Sequence, residues 1–165
     1  MSLIQVVDDF NEPIGSAPKS KVNDEGLSHR IVHILLFNKK GELLLHQRGK
    51  NLHYLPLHWC TSAGGYVDAG ETYTEAASRE LKEELGVDAA LEEVASYLYY
   101  DEKRKTKKFT KLYKCVYNDS FNPSPHEVEK VEFFTLEKAL ELIEKNEKVH
   151  PELKRALDEY VKILK

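Results

Sequence analysis

Three features of this 165-residue sequence predict an α/β (α+β) domain: short apolar runs separated by Gly- and Asn-containing turns, one well-capped amphipathic segment in the middle, and two helical segments at the C-terminal end. The mass of 19.0 kDa fits a single domain, 1–165. A chain of this length buries about 70% of the surface that it exposes when unfolded.

Residues 4 to 30 hold the apolar piece Ile4-Gln5-Val6-Val7, a turn-rich stretch from Asp8 to Pro13 and a polar approach to His29. They read as an N-terminal extended arm over about 1–30. Ile31 to Phe37 is a continuous apolar strand interrupted by His33, and Asn38-Lys39-Lys40-Gly41 turns the chain into a partner strand from Glu42 to Arg48. Gly49 to Leu57 is a loop carrying His53, Tyr54 and Pro56. Trp59 to Ser62 is a short strand entering Ala63-Gly64-Gly65, where the glycines allow backbone to approach a ligand closely.

The central helix starts at a Ser/Thr-x-x-Glu capping box, Thr72-Tyr73-Thr74-Glu75, and stops at Gly86, which suits the left-handed position after a helix. Its limits are therefore about 73 and 85. Further strands are expected at Glu93 to Tyr100, Phe109 to Tyr117 and Val128 to Phe134, with a basic turn from Lys103 to Lys108 read as a solvated hairpin tip rather than a phosphate site. Thr135 caps a helix from Leu136 to Lys145. Pro151 opens another that runs to Leu164, with Leu153, Leu157, Tyr160, Val161 and Leu164 at helical spacing.

A net charge of −4 and a pI near 6.0 oppose broad attraction to nucleic acid polymers or anionic membranes. No apolar run is long enough to cross a bilayer and no signal pattern opens the chain, so a cytoplasmic location is expected. Cys60 and Cys115 read as buried free thiols. The spacing of His29, His33, His46, His53 and His58 fits no zinc motif. Trp59, Tyr54 and Tyr66 flank the glycine turn, as core or lid side chains or as a surface on which a base stacks.

The chemistry concentrates on the central helix. At 100° per residue, Glu84, Glu80 and Glu83 lie about 60°, 100° and 160° from Leu81 on one side, so three acids share a face beside the buried stripe. Each like-charge pair at this spacing costs a helix roughly 0.2–0.5 kcal/mol. A bound divalent cation would offset that repulsion, and magnesium in particular is shared between protein carboxylates and substrate phosphates.

The residues around these acids have a fixed pattern: Gly65, five residues, Glu71, seven residues, Arg79-Glu80, the aliphatic Leu81, any residue, Glu83-Glu84, any residue, Gly86 and the aliphatic Val87. By chance such a match arises in a chain of this size on the order of once in a million. The segment resembles the Nudix box without a gap. The resemblance implies the Nudix fold, a mixed β-sheet sandwiched between α-helices, and metal-dependent cleavage of a diphosphate. It implies Mg²⁺, with Mn²⁺ as a substitute, held by Glu80, Glu83, Glu84 and the carbonyl of Gly64. Arg79 orients the acids, and Glu71 serves structure more than chemistry.

Glu80 is the general base that the resemblance implies, with Glu127 or Glu129 as the alternative from a distant loop. Arg48, Gly65 and Glu127 are the candidate substrate contacts, Arg48 having a surface salt bridge as its other reading. The expected substrate is a small-molecule diphosphate, a nucleoside diphosphate derivative or a nucleoside triphosphate. Oligomeric state, including a homodimer, is left open.

Outside the box, Val6-Val7-Asp8-Asp9, Pro13-Ile14-Gly15, Gly26-Leu27-Ser28-His29-Arg30, Leu36-Phe37-Asn38 and Gln47-Arg48 are similar to the branch that contains type 1 isopentenyl diphosphate isomerase and related hydrolases. That isomerase uses a cysteine and a strand glutamate. Gly64 stands in the cysteine's position here and Tyr66 in that of a metal-binding histidine, and no Asp or Glu occurs between Glu102 and Asp119. Hydrolysis is therefore favoured over isomerisation, and a catalytically idle nucleotide sensor is the remaining alternative.

Overall fold

The computed structural model describes residues 2–165. Its sheet is built around β3 (His29–Phe37), which runs parallel to β8 (Thr106–Val116) along its whole length. The other pairings of β3 fall in turn to β1 (Ile4–Val7) at His29, to β6 (Ala63–Tyr66) over residues 31–34 and to β4 (Leu43–Arg48) over residues 36–37, all antiparallel. β2 (Pro13–Ala17) extends the sheet beyond β1, β7 (Glu92–Asp101) beyond β8, and both β5 (Trp59–Cys60) and β9 (Val128–Phe134) pair with β4.

Alternation along β3 sends side chains to two different cores, as a strand buried on both faces requires. Val32, Ile34 and Leu36 meet Ala77, Leu81 and Leu85 of α2 (Tyr73–Leu85) on one face. Leu35 lies on the other, with Leu112 and with Leu153, Ala156 and Leu157 of α4 (Pro151–Ile163). Ala139 of α3 (Leu136–Lys145) joins that second core. The sheet is thus mixed and sandwiched between helices.

The limits of α2 follow from its ends. The Thr72 hydroxyl accepts from the Glu75 N–H while the Glu75 carboxylate accepts from the Thr72 N–H, closing the capping box. Gly86 sits at φ 69° and donates to the carbonyls of Leu81 and Lys82. A Cβ at Gly86 would run into Asn122, so both the backbone angle and the packing require glycine there.

Two segments differ from the sequence reading. Residues 4–30, read as an extended arm, form the β1–β2 hairpin and a short helix, α1 (Lys19–Asp24), because Val6 pairs with His29 and draws the hairpin onto the sheet. The turn expected over 103–108 is shorter, since β8 begins at Thr106 and pairs with Asp101. Lys107 and Lys108 are therefore strand residues. Cys60 and Cys115 are buried free thiols, and burial pushes them up to about 12 and 11. Among the described residues, no helix is long and apolar enough to cross a membrane.

Candidate active site

Arg79 is the hub of the acidic helix face. Its Nε donates to Glu71 Oε2 at 2.6 Å and its Nη2 to Glu71 Oε1 at 2.9 Å, a bidentate pair. Nη1 reaches Glu80 Oε1 at 2.9 Å and Glu83 Oε2 at 3.3 Å, and Nη2 also bonds the Tyr66 carbonyl at 2.9 Å. Glu71 accepts the Asp68 N–H as well, at 2.9 Å. Burial opposes its ionisation, yet the Arg79 hydrogen bond holds its carboxyl below the usual range. Those contacts make Glu71 a structural clamp on Arg79.

The glycine strand β6 lies directly against this face. Gly64 N–H donates to Glu84 Oε1 at 2.8 Å, and a Cβ on Gly65 would fall on the Glu80 carboxylate. Only glycine lets the backbone come that close. The Glu80 side chain is 14% exposed, and burial pushes its pKa up to about 7 against the pull of Arg79, with Glu83 and Glu127 adding repulsion. Burial and then the Glu80 charge push Glu84 well above its ordinary value. Glu83 is half exposed.

All four expected metal donors are oxygens, the set that suits a hard divalent cation. Glu80 lies against Gly65 and Glu84 against Gly64, and the Arg79 guanidinium bridges Glu80 to Glu83. In this side-chain arrangement no three His, Cys, Asp or Glu among the described residues form a ready ion site. Glu80 and Glu83 are turned to Arg79, and Glu84 to the Gly64 N–H. What fits such an ion is the chemistry of this donor set, all oxygens and mostly carboxylates.

From Gly64, Gly65 and Glu84 a cavity of about 120 Å³ leads to a second polar cluster that sequence reasoning missed. The Glu152 carboxylate, from the first turn of α4, accepts from Lys108 Nζ at 2.8 Å and from His33 Nε2 at 3.2 Å. Lys108 is also 3.4 Å from Asp101, and His33 Nδ1 is 2.8 Å from Thr61 Oγ1. Burial alone would raise the Glu152 carboxyl, but the His33 bond and the Lys108 charge hold it well below the usual carboxylate range. Lys108 was detectable through period 2 in β8, where Thr106, Lys108, Thr110 and Leu112 all point inward. Glu152, 119 positions from His33, carries no local signal.

The remaining site residues separate. Arg48 lines the cavity and donates Nε to the Tyr54 carbonyl at 3.0 Å; it makes no salt bridge among the described residues. Tyr54 and Tyr66 line the cavity too, whereas Trp59 belongs to the core. Glu127 contributes charge near Glu80 and Glu84 but does not line the cavity. The Glu129 carboxylate accepts from the Lys50 N–H.

A protein-family model described as the NUDIX domain matches residues 27–157, most of the chain and the whole of the acidic helix with its glycine strand. The chain belongs to the NUDIX family. Among NUDIX relatives, an uncharacterized Nudix hydrolase of Pseudomonas aeruginosa is 44% identical over 101 residues, 61% of this chain and 59% of that protein. An isopentenyl-diphosphate Delta-isomerase of Photorhabdus laumondii is 37% identical over 98 residues, 59% of this chain and 55% of that protein. These matches therefore span little more than half the length of either relative. The crystal structure of DR0079 from Deinococcus radiodurans superposes with a TM-score of 0.82 at 25% identity, covering 94% of this chain and 97% of that one.

The histidines of this NUDIX domain set its acid sensitivity. Burial holds His29 and His46 down at about 4 and His150 at about 3, against 6.5 for a free imidazole. His29 makes a single ring hydrogen bond, Nδ1–H to the Leu27 carbonyl, and leaves Nε2 buried without a hydrogen-bond partner, as a neutral ring permits. Below pH 6.5 the unfolded chain takes up protons that the folded chain cannot. The part of the stability that rests on these three rings is therefore fully present above about pH 6.5 and is lost, by several kcal/mol, as the pH drops toward 4. Urea denaturation at pH 7.5, 5.5 and 4.5 measures this, and an unchanged midpoint would contradict neutral burial of these rings.

Proposed function

We propose that this protein is a Mg²⁺-dependent diphosphate hydrolase acting on a small molecule, a nucleoside diphosphate derivative or a nucleoside triphosphate, with residues 1–165 acting as one cytoplasmic domain. One observation carries the reading: an arginine-braced set of carboxylates is pressed against bare glycine backbone at the mouth of a polar cavity. Glu80, Glu83, Glu84 and the Gly64 carbonyl would hold Mg²⁺, or Mn²⁺ in its place. When bound, the ion supplies charge neutralisation at the phosphate oxygens and acidifies a water.

The chain's own residues account for the rest. Glu80 has a proton affinity near neutral before any ion binds, and the family resemblance gives it the role of base that takes the proton of the attacking water. Glu127, whose charge bears on Glu80 and Glu84, is the alternative base. Arg79 draws Glu80 and Glu83 together through charge-assisted hydrogen bonds and keeps them beside the glycine strand. Gly65 lets the diphosphate approach the strand, and Arg48 meets its charge from the cavity wall.

A second reading, isopentenyl diphosphate isomerisation, draws on the names of several relatives. It is disfavoured by Gly64 and Tyr66 at the positions where that chemistry needs a thiol and an imidazole. A phosphatase-coupled screen of nucleotide sugars, dinucleoside polyphosphates, coenzyme A, nucleoside triphosphates and prenyl diphosphates separates the readings. We expect phosphate release with Mg²⁺ and none with EDTA. An allylic isomer formed from isopentenyl diphosphate would favour the second reading, and tight ligand binding without turnover would favour a sensor.

A further inference from the structure

The glycine pair of β6 is held from both faces of the sheet. On the α2 face the Glu80 carboxylate fills the space of a side chain at Gly65, and on the α4 face the His33 ring does the same at Gly64, its Nδ1 2.8 Å from where a Cβ would stand. His33 is the residue opposite Gly64 in the β3–β6 register. Without such neighbours a glycine has more backbone freedom than any other residue, and the peptide groups beside it can change direction at little cost.

His33 is itself tied at both ring nitrogens. Nε2 lies 3.2 Å from Glu152 Oε1, whose partner oxygen accepts from Lys108 Nζ at 2.8 Å, and Nδ1 lies 2.8 Å from the Thr61 hydroxyl, which donates to the Ala63 carbonyl at 3.1 Å. A chain of contacts thus runs from α4 through β3 to the peptide group that joins Ala63 to Gly64. The N–H of that same peptide group bonds Glu84 at 2.8 Å, so both of its polar ends are fixed by side chains. His33, Thr61, Lys108 and Glu152 are all buried. A buried ion pair is a weak source of stability, because apolar side chains of the same volume do as well or better. What an apolar wall does not supply is direction.

We propose that His33, held by Glu152 and Thr61, is a positioning residue for the metal site: it sets the glycine strand so that the Gly64 carbonyl is presented in one direction. This role rests on the hydrolase reading, in which that carbonyl is a metal donor. It gives the buried network a task that its members' mutual bonding serves, and it ties the first turn of α4 to the acidic face of α2 through the sheet between them.

Titration of the full chain with Mn²⁺, followed by the spin resonance of the free ion, reads the site without substrate or turnover. Thr61→Val should bind Mn²⁺ about tenfold more weakly than the wild type, the scale expected for groups that stand behind metal ligands. Thr61→Ser keeps the hydroxyl and should restore the affinity. Glu152→Gln offers one acceptor oxygen where the carboxylate offers two, so it must release either His33 or Lys108 and should weaken binding in the same direction. Leu157→Ala is the control, a cavity in the α4 core that loosens the fold without touching the chain of contacts, and it should leave Mn²⁺ affinity unchanged well below its unfolding midpoint. Wild-type affinity in Thr61→Val, or in Glu152→Gln where the first variant does not fold, would overturn the positioning role and leave the hydrolase reading standing. So would a loss of equal size in Leu157→Ala, or no recovery in Thr61→Ser. A wild-type chain that binds no Mn²⁺ would remove the metal site of the hydrolase reading and this role with it.

Discussion

Glu83→Gln is expected to lower kcat by about 10²-fold or more while leaving the fold almost untouched. Its side chain is 54% exposed, and its one ion pair is the 3.3 Å contact to Arg79 four residues earlier. A surface pair of that kind contributes about 0.3–0.5 kcal/mol. The unfolding midpoint should therefore shift by no more than that contact allows. Glu80→Gln should cost at least as much activity, but it is a less clean test, because a side chain 14% exposed and bonded to Arg79 also carries stability. Steady-state kinetics with saturating Mg²⁺, beside thermal unfolding of the same preparation, separates the two effects. Full activity in Glu83→Gln would remove that residue from the metal set.

Lys108→Met is expected to destabilise the fold by about 3–5 kcal/mol, the cost of leaving a buried charge without its partner. Lys108 is 3% exposed and is the cation nearest both Glu152, at 2.8 Å, and Asp101, at 3.4 Å. Burial would lower its pKa, but the Glu152 carboxylate raises it, so the ammonium stays charged. Removing it strands two carboxylates in the wall of the cavity. The double variant Lys108→Met/Glu152→Leu should recover part of the loss, since it removes one of those uncompensated charges. Urea unfolding of the two variants measures the coupling, and a loss below about 1 kcal/mol for the single variant would mean that water already reaches the pair.

The parts legible from sequence were those whose determinants are local. The α2 helix carries both of its stops within its own residues, the capping box at Thr72 and the left-handed Gly86, and its limits follow from them. The acids at 80, 83 and 84 were equally plain, because helical periodicity alone puts them on one side. β6 was not legible: Ala63-Gly64-Gly65-Tyr66 has little intrinsic strand preference and is held extended by pairing with residues 31–34. The N-terminal hairpin is a similar case, fixed to the sheet through Val6 and His29. The wall of the cavity was the hardest to see. A lysine in a basic run reads as solvated, and a glutamate after a helix-opening proline reads as an ordinary first-turn acid. Only the fold, by bringing β3, β8 and α4 together, turns them into one buried network.

The parallel register of β3 with β8 has a consequence for how the chain is made. Its partners, His29 with Lys108 through Phe37 with Val116, are separated by nearly half the polypeptide. Loop closure over that span must precede any reward from the pairing, so contact order is high and folding correspondingly slow. During synthesis the apolar edge of residues 31–36 waits unpaired until the ribosome has delivered residue 116. In that interval the nascent chain offers an adhesive strand to its neighbours, which makes rapid overexpression at high temperature the condition under which this protein is most prone to aggregate.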